Sequence, residues 1–227
     1  MGKAETLRTA LRHSGDALLA ALLAPTCACC RRTLDSPLTS AVCERCWNDA
    51  QLADGRYDGA LREIIHAFKY EGRRSLTQPL AALLRARGGR ALEDAACVVP
   101  VPLFAWRRLR RGFNQASELG HHLGLPVVHA LWRVRSTRTQ TGLTASERQR
   151  NVRGAFRLSP LLSRTTQRRF IVDRIVVLLD DVMTTGATSN ECAEALRAAG
   201  AREVRVVALA RADLKVGPYG SRGRQPA

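Results

Sequence analysis

Hydrophobic and polar positions along this chain fall into blocks of changing period, and the blocks predict strands and helices in alternation. The most apolar block, residues 176–179, reads Val-Val-Leu-Leu, a strand buried on both faces rather than on one. Asp180 and Asp181 stand where that strand should end, and residues 184–188, Thr-Thr-Gly-Ala-Thr, lead into a helix. Cys192, Ala195, Leu196 and Ala199 share one face of that helix, Gly200 stops it, and Val204, Val206, Val207 and Leu209 supply a last strand. Upstream, residues 97–101 read as a buried strand ended by Pro100 and Pro102, followed by a helix near 116–123 and strands near 127–131 and 154–158. Before them come a helix near 61–70 with Ile64, Ile65 and Phe68 on its apolar face, and a second carrying Leu76, Leu80, Leu83 and Leu84 that fades at Gly88 and Gly89. This alternation predicts an α/β fold, a mainly parallel sheet flanked by helices with right-handed connections.

The ends of the chain read differently. Leu7, Leu11, Leu18, Leu19, Leu22 and Leu23 suggest a partly amphipathic helical lead-in, and residues 52–59 read as a linker. The expected organisation is therefore an N-terminal helix with a small cysteine-rich module over 1–55, the α/β domain over 56–214, and a disordered Gly, Pro and Arg-rich tail over 215–227. The apolar run 17–24 is too short to span a bilayer, and Glu5 and Asp16 make it a poor signal peptide, so the expected location is cytoplasmic without membrane insertion.

Composition then narrows the partners. Lys plus Arg number 36 against 20 Asp plus Glu, a formal charge of +16, which points to phosphorylated small molecules, nucleic acid, or both. The 45% hydrophobic content is sufficient for a real core.

Five of the seven cysteines crowd into the first module. Cys27-x-x-Cys30 and Cys43-x-x-Cys46, twelve residues apart, have the spacing of two knuckles whose thiolates meet on one zinc ion, and metal can fold a segment too polar to build a core. Four thiolates leave no position for water or substrate, so the expected role is structural. Cys29 is an alternative ligand; a reduced core cluster and a redox pair are alternatives to the metal. Loss of a ligand is expected to loosen this module and leave the distant phosphate loop intact. Cys97 and Cys192 read as small buried side chains.

The block after residue 179 carries the chemistry. In an open parallel sheet ligands bind beyond the carboxyl ends of the strands, where the next helix offers free N–H groups and the positive end of its dipole. Thr184, Thr185, Gly186, Ala187 and Thr188 can wrap a phosphomonoester, and Gly186 lets the backbone approach without a Cβ. Asp180 and Asp181 would repel that phosphate, so they require a partner that donates hydrogen bonds, and the diol of a ribose supplies it. An ordinary strand, turn and helix cap with solvated aspartates is the bland alternative. Arg107, Arg108, Arg110 and Arg111 follow the strand at 97–101 and form a candidate pyrophosphate site, although a solvated loop, or a nucleic-acid patch with Trp106 and Phe113 as stacking rings, fits as well. Residues 133–151 contain Arg133, Arg135, Arg138, Arg148 and Arg150 with Gln140 and almost no apolar content, and read either as a mobile lid or as a disordered basic loop. Lys69, on pattern alone, is a solvated helix charge.

The stretch 176–188 resembles the thirteen-residue signature of type I phosphoribosyltransferases, which bind 5-phosphoribosyl-1-pyrophosphate (PRPP). Together with the two Cys pairs, Phe68-Lys69-Tyr70-x-Gly72, Val99-Pro100-Val101-Pro102, Arg111-Gly112-Phe113-Asn114-Gln115, Gln140 and Arg148-x-x-Asn151, it resembles the ComF family over about residues 22–211. That resemblance implies a zinc-ribbon-like N-terminus joined to a phosphoribosyltransferase-type domain. It implies that Asp180 and Asp181 hold the ribose hydroxyls, Thr184 to Thr188 the 5′-phosphate, and the segment around Arg107, Arg108 and Arg111 the pyrophosphate. Lys69, Arg138, Gln140 and Arg148 join that loop and a flexible hood. Magnesium would come with PRPP, and the reaction implied is phosphoribosyl transfer to an unnamed acceptor with release of pyrophosphate. The 6-oxopurine salvage enzymes, similar in this loop, carry an aspartate where Thr184 stands, so the acceptor expected here is not a 6-oxopurine. A non-catalytic PRPP sensor and a single-stranded-DNA accessory protein are the other functions considered, the latter through the family's link to DNA uptake, and a homodimer is the assembly considered.

Overall fold

A strand buried on both faces must be central, and β4 is central here. The structure is a computed structural model that describes residues 25–38, 40–103, 113–135 and 145–212. Its elements are helices α1 (Glu44–Leu52), α2 (Gly59–Tyr70) and α3 (Thr77–Leu92), strand β1 (Cys97–Pro100), α4 (Gln115–Gly120), β2 (Leu131–Arg133), α5 (Ala145–Val152), β3 (Phe156–Leu158), α6 (Arg164–Phe170), β4 (Ile175–Met183), α7 (Ala187–Ala198) and β5 (Glu203–Arg211). Strand β4 lies between β1 and β5, parallel to both, with Leu179 opposite Pro100 on one side and Val207 on the other. A parallel bridge from Val98 to Val127 extends the sheet beyond β1, and β2 with β3 forms a separate antiparallel ribbon. The parallel sheet flanked by helices agrees with the sequence expectation. The expected lead-in helix and the expected tail lie outside the described residues.

Alternation along β4 sorts the core into two layers. Ile175, Val177 and Leu179 face a cluster that includes Leu61, Ile64, Ile65 and Phe68 of α2, Leu80 and Leu84 of α3, and Leu119 of α4. Val176 and Leu178 face the other cluster, with Cys192 and Leu196 of α7 and Phe156 of β3. Cys97 and Cys192 are buried in this second layer, as their apolar surroundings suggested.

Three boundaries differ from expectation, each for a physical reason. Helix α3 does not fade at Gly88 and Gly89 but continues to Leu92. A Cβ on Gly88 would meet Cγ1 of Val207 at 3.2 Å, so this glycine is there for close helix–sheet contact rather than as a stop. Helix α6 lies in a stretch that showed only polarity, because it buries none of its residues; its one sequence signal is Ser163, whose Oγ accepts from the Thr166 N–H at 3.1 Å as an N-cap. Strand β4 runs through both aspartates to Met183, since β5 accompanies it as far as Arg211 while β1 stops opposite Leu179.

The cysteine-rich module is not independent of the sheet. Cys27, Ala28, Leu34, Val42, Cys46 and Ala50 belong to the same buried cluster as α2 and Leu179, so the module shares the core of the α/β domain. Arg87 of α3 fastens the joint. Its guanidinium donates to the carbonyls of Ala50 at 2.9 Å and Gln51 at 3.2 Å, at the end of α1, and to that of Leu209 in β5 at 3.1 Å. A cation at a helix C-terminus is favourable, and five fixed donors allow one side chain to serve three carbonyls.

The two adjacent glycines of α3 give a direct check. Gly89 has open space at its Cβ position, so Gly89→Ala should raise stability by about 0.5–1 kcal/mol through reduced backbone entropy. Gly88→Val should lower it by about 1–3 kcal/mol by forcing Val207 from its place. Urea midpoints of the two variants should move in opposite directions.

Candidate functional site

The sheet splits the acidic pair between its two faces. Asp181, in register with Val177 and Leu179, meets Lys69 from the last turn of α2; the ammonium lies 2.9 Å from Oδ1, and the two side chains are only 10% and 14% exposed. Asp180 lies on the opposite face, within reach of the positive charge of Arg133 in β2. Each carboxylate also takes the next backbone N–H, Asp181 to Asp180 at 2.8 Å and Val182 to Asp181 at 2.6 Å, which turns both towards the loop that follows. Burial, and then the Asp181 charge, push Asp180 up to about 7, against the pull of Lys69, the backbone N–H and Arg133.

The loop after β4 has the form a phosphate requires. Gly186 is left-handed at φ 75° and precedes α7, and the Thr185 hydroxyl accepts from the Ala187 N–H at 3.4 Å. Thr184 is exposed and Thr185, Gly186 and Thr188 are half-buried. Ser189, in the first turn of α7, is 2% exposed, and its hydroxyl has no partner among the described residues. A buried hydroxyl in the first turn of a helix suits a bound anion.

The arginine-rich loop has a fixed base. Asn114 caps α4, accepting from the Ala116 N–H at 3.1 Å, while its Nδ2 donates to the Val101 carbonyl at 3.2 Å. Phe113 is buried edge-on to Phe68, with centroids 5.6 Å apart, and Arg74 covers its ring. Phe113 is thus a core residue rather than a stacking ring for nucleic acid. Arg107, Arg108 and Arg111, with Arg138 and Gln140, lie outside the described residues, as does the side chain of Arg148, whose backbone is in α5. Arg133 of the expected hood is in β2, its guanidinium over the Phe156 ring.

The ligand atoms of Cys27, Cys30, Cys43 and Cys46 all lie within 4.8 Å of one another, a group that does not include Cys29. Four thiolates at about 2.3 Å from one zinc stand about 3.8 Å apart. The Sγ atoms of Cys30 and Cys43 are 3.7 Å apart, which fits. Burial works to raise the Cys27 thiol, but N–H donors, among them those of Cys43 at 3.3 Å and Cys29 at 3.4 Å, bring it down to about 6, whereas burial pushes the Cys46 thiol up. Burial pushes the Cys29 thiol up.

Comparison with known proteins agrees with this geometry. The phosphoribosyl transferase domain family matches residues 109–218. Competence protein F of Haemophilus influenzae is 36% identical over 174 residues, 72% of this chain and 73% of its own length.

The chain belongs to the ComF family.

Other relatives extend the picture: the DNA utilization protein YhgH of Salmonella typhimurium is 36% identical over 68% of this chain and 69% of its own. Competence protein ComFC of Streptococcus pneumoniae is 28% identical over 68% and 65%. This ComF chain therefore carries a phosphoribosyltransferase-like domain behind a cysteine cluster able to hold a metal ion. Among the described residues no helix is long and apolar enough to cross a membrane. Pattern reasoning missed the place of Lys69, because a single lysine beside an apolar stripe carries no sign of the carboxylate it will meet; the signal lay in the family motif.

The raised Asp180 has a consequence for stability. A carboxyl that holds its proton more tightly folded than unfolded loses stability on ionising, so the cost is absent below about pH 4 and complete above about pH 7. Asp180→Asn should therefore stabilise the ligand-free protein at pH 8, by an amount on the order of 2 kcal/mol, and the gain should vanish as the pH falls to about 4. Urea unfolding at a series of pH values checks both the sign and the window.

Proposed function

We propose that the protein binds PRPP, accompanied by magnesium, at the loop joining β4 to α7, and transfers its phosphoribosyl group to an acceptor with release of pyrophosphate. The observation that carries this is the acidic pair at the carboxyl end of a doubly buried strand, followed directly by a left-handed glycine and a helix N-terminus. The N–H groups and hydroxyls of Thr184, Thr185, Gly186, Ala187 and Thr188 would take the 5′-phosphate, with the buried Ser189 hydroxyl beside them. Asp180 and Asp181 would accept from the ribose hydroxyls, which requires Lys69 to give up part of its hold on Asp181. Freed in that way, its ammonium would be close to the pyrophosphate that leaves. Magnesium, when bound with PRPP, adds charge neutralisation for the leaving group. Arg107, Arg108, Arg111, Arg138, Gln140 and Arg148 keep the pyrophosphate and hood roles that the family resemblance implies. With Thr184 in place of a basic carboxylate, the acceptor belongs outside the 6-oxopurines.

A second role in contact with single-stranded DNA is favoured by one surface feature. Trp132 is 48% exposed on β2, opposite Arg157 on β3, in a chain of +16 charge; an aromatic ring beside an arginine suits a stacked base. The names of the YhgH and competence relatives point the same way.

The zinc assignment is also ours: one structural ion on Cys27, Cys30, Cys43 and Cys46. Three measurements test these readings. Calorimetry should detect PRPP with magnesium, and the Asp180→Asn, Asp181→Asn double variant should weaken it by at least about tenfold; a panel of bases and amines should release pyrophosphate, and silence across it with binding intact leaves a PRPP sensor. Binding of a single-stranded oligonucleotide should fall steeply with salt and weaken in Trp132→Ala. Metal analysis should find about one zinc per chain, lost in Cys43→Ser and kept in Cys29→Ser.

A further inference from the structure

Helix α2 touches both halves of the molecule. Its apolar face, Leu61, Ile64, Ile65 and Phe68, lies in the same buried cluster as Cys27, Cys46 and Ala50 of the cysteine module. Its last turn holds Lys69 against Asp181 at the sugar-phosphate site, and the adjacent Phe68 holds Phe113 at the base of the arginine-rich loop. Glu71, the residue that ends the helix, also reaches back to the module: it accepts from Arg31, the residue after Cys30, at 3.4 Å, and from Arg73 at 3.1 Å. Arg31 is exposed, so this ion pair contributes little by itself; the buried contact between α1 and α2 carries the connection.

We propose that helix α2 couples the cysteine cluster to the sugar-phosphate site: a metal ion on Cys27, Cys30, Cys43 and Cys46 fixes the helix, and the helix sets Lys69 on Asp181. Lys69 is then set on the acidic pair, before any ligand arrives, by a metal bound elsewhere in the chain. The coupling rests on the PRPP reading only for its effect on ligand affinity; the effect on Lys69 itself does not depend on what the site binds.

The physical case is one of rigidity. The module has little apolar content of its own, and without metal its four thiols, of which Cys27 and Cys46 are buried, Cys43 half-buried and Cys30 exposed, are held only by packing and weak sulfur hydrogen bonds. Loosening of Cys46 and Ala50 removes packing from Ile64, Ile65 and Phe68. A small shift of the last turn of α2 is enough to part an ion pair at 2.9 Å, because Coulomb attraction in a half-buried site falls quickly once water enters. Linkage makes the effect reciprocal: whatever stabilises Lys69 on Asp181 must also tighten the hold on the metal.

The amino-acid composition gives a clean probe. Only three lysines occur among the 36 basic residues, Lys3, Lys69 and Lys215. Acetic anhydride labelling of the zinc-loaded protein, read by mass spectrometry, should modify Lys69 more slowly than it does in Asp181→Asn. Removal of zinc by a chelator, with far-UV circular dichroism confirming that the fold persists, should raise Lys69 labelling about fivefold or more while Lys3 and Lys215 stay unchanged. In the other direction, and without any loss of fold, Asp181→Asn in the zinc-loaded protein should give up half of its zinc at equilibrium to about fivefold less chromogenic chelator than the unmodified protein requires. Equal zinc release in the two proteins, with Lys69 labelling indifferent to zinc, overturns the coupling. Should chelation unfold the chain, the release experiment alone decides. A zinc-loaded protein that fails to bind PRPP refutes the proposed function and leaves the coupling to stand or fall on labelling and release.

Discussion

The presence of two carboxylates at the end of a strand that is buried on both faces constrains most of this structure. Val176 to Leu179 have no polar side to turn to water, so the strand needs helices above and below it. The next two residues are charged and must leave that interior within one step of the chain. Strand β1 ends at Pro100, so among the described residues no strand pairs with β4 beyond Leu179 on that side. The pair is nevertheless close to the core, and the cations of Lys69 and Arg133, one on each face, offset part of the electrostatic cost. Two carboxyl groups side by side are unfavourable without a partner, and a group that donates hydrogen bonds to them would relieve the pair.

Local chemistry was legible in the sequence where a short stretch determines it. The doubly buried strand, the hydroxyl and glycine loop, the helix that follows and the paired Cys-x-x-Cys knuckles were all set by neighbours within a few residues, and the structure has each of them. What the sequence did not disclose depends on partners far along the chain. Gly88 looks like a stop unless Val207 is known to press on it. Lys69 and Arg87 look like solvated charges unless Asp181, Ala50 and Leu209 are in view. Helix α6 lacks an apolar stripe because it buries no side chain, so period counting had nothing to detect.

The cysteine module and the α/β domain share one buried core. A segment poor in apolar residues looks self-contained in the sequence, because metal can fold such a segment by itself. The same poverty has the opposite effect as well: a module with few apolar groups uses a neighbour's, and Ile64, Ile65 and Phe68 serve both sides of the joint.

Arg87 and the linker beside it also bear on how the chain reaches its final form. Arg87 joins Ala50 and Gln51 to Leu209, and the N–H of Tyr57 donates to the Arg211 carbonyl at 2.8 Å while that of Arg211 donates to the Gly55 carbonyl at 2.6 Å. The early linker is therefore fastened to the last strand. On a ribosome the cysteine module emerges first and its packing partner in β5 some 150 residues later, a delay on the order of ten seconds at ordinary rates of synthesis. During that interval the module has no sheet to rest on and its apolar positions are exposed to other nascent chains. Early capture of a metal ion would give it a folded shape while it waits, and the cysteine cluster would then serve the growing polypeptide before the finished protein.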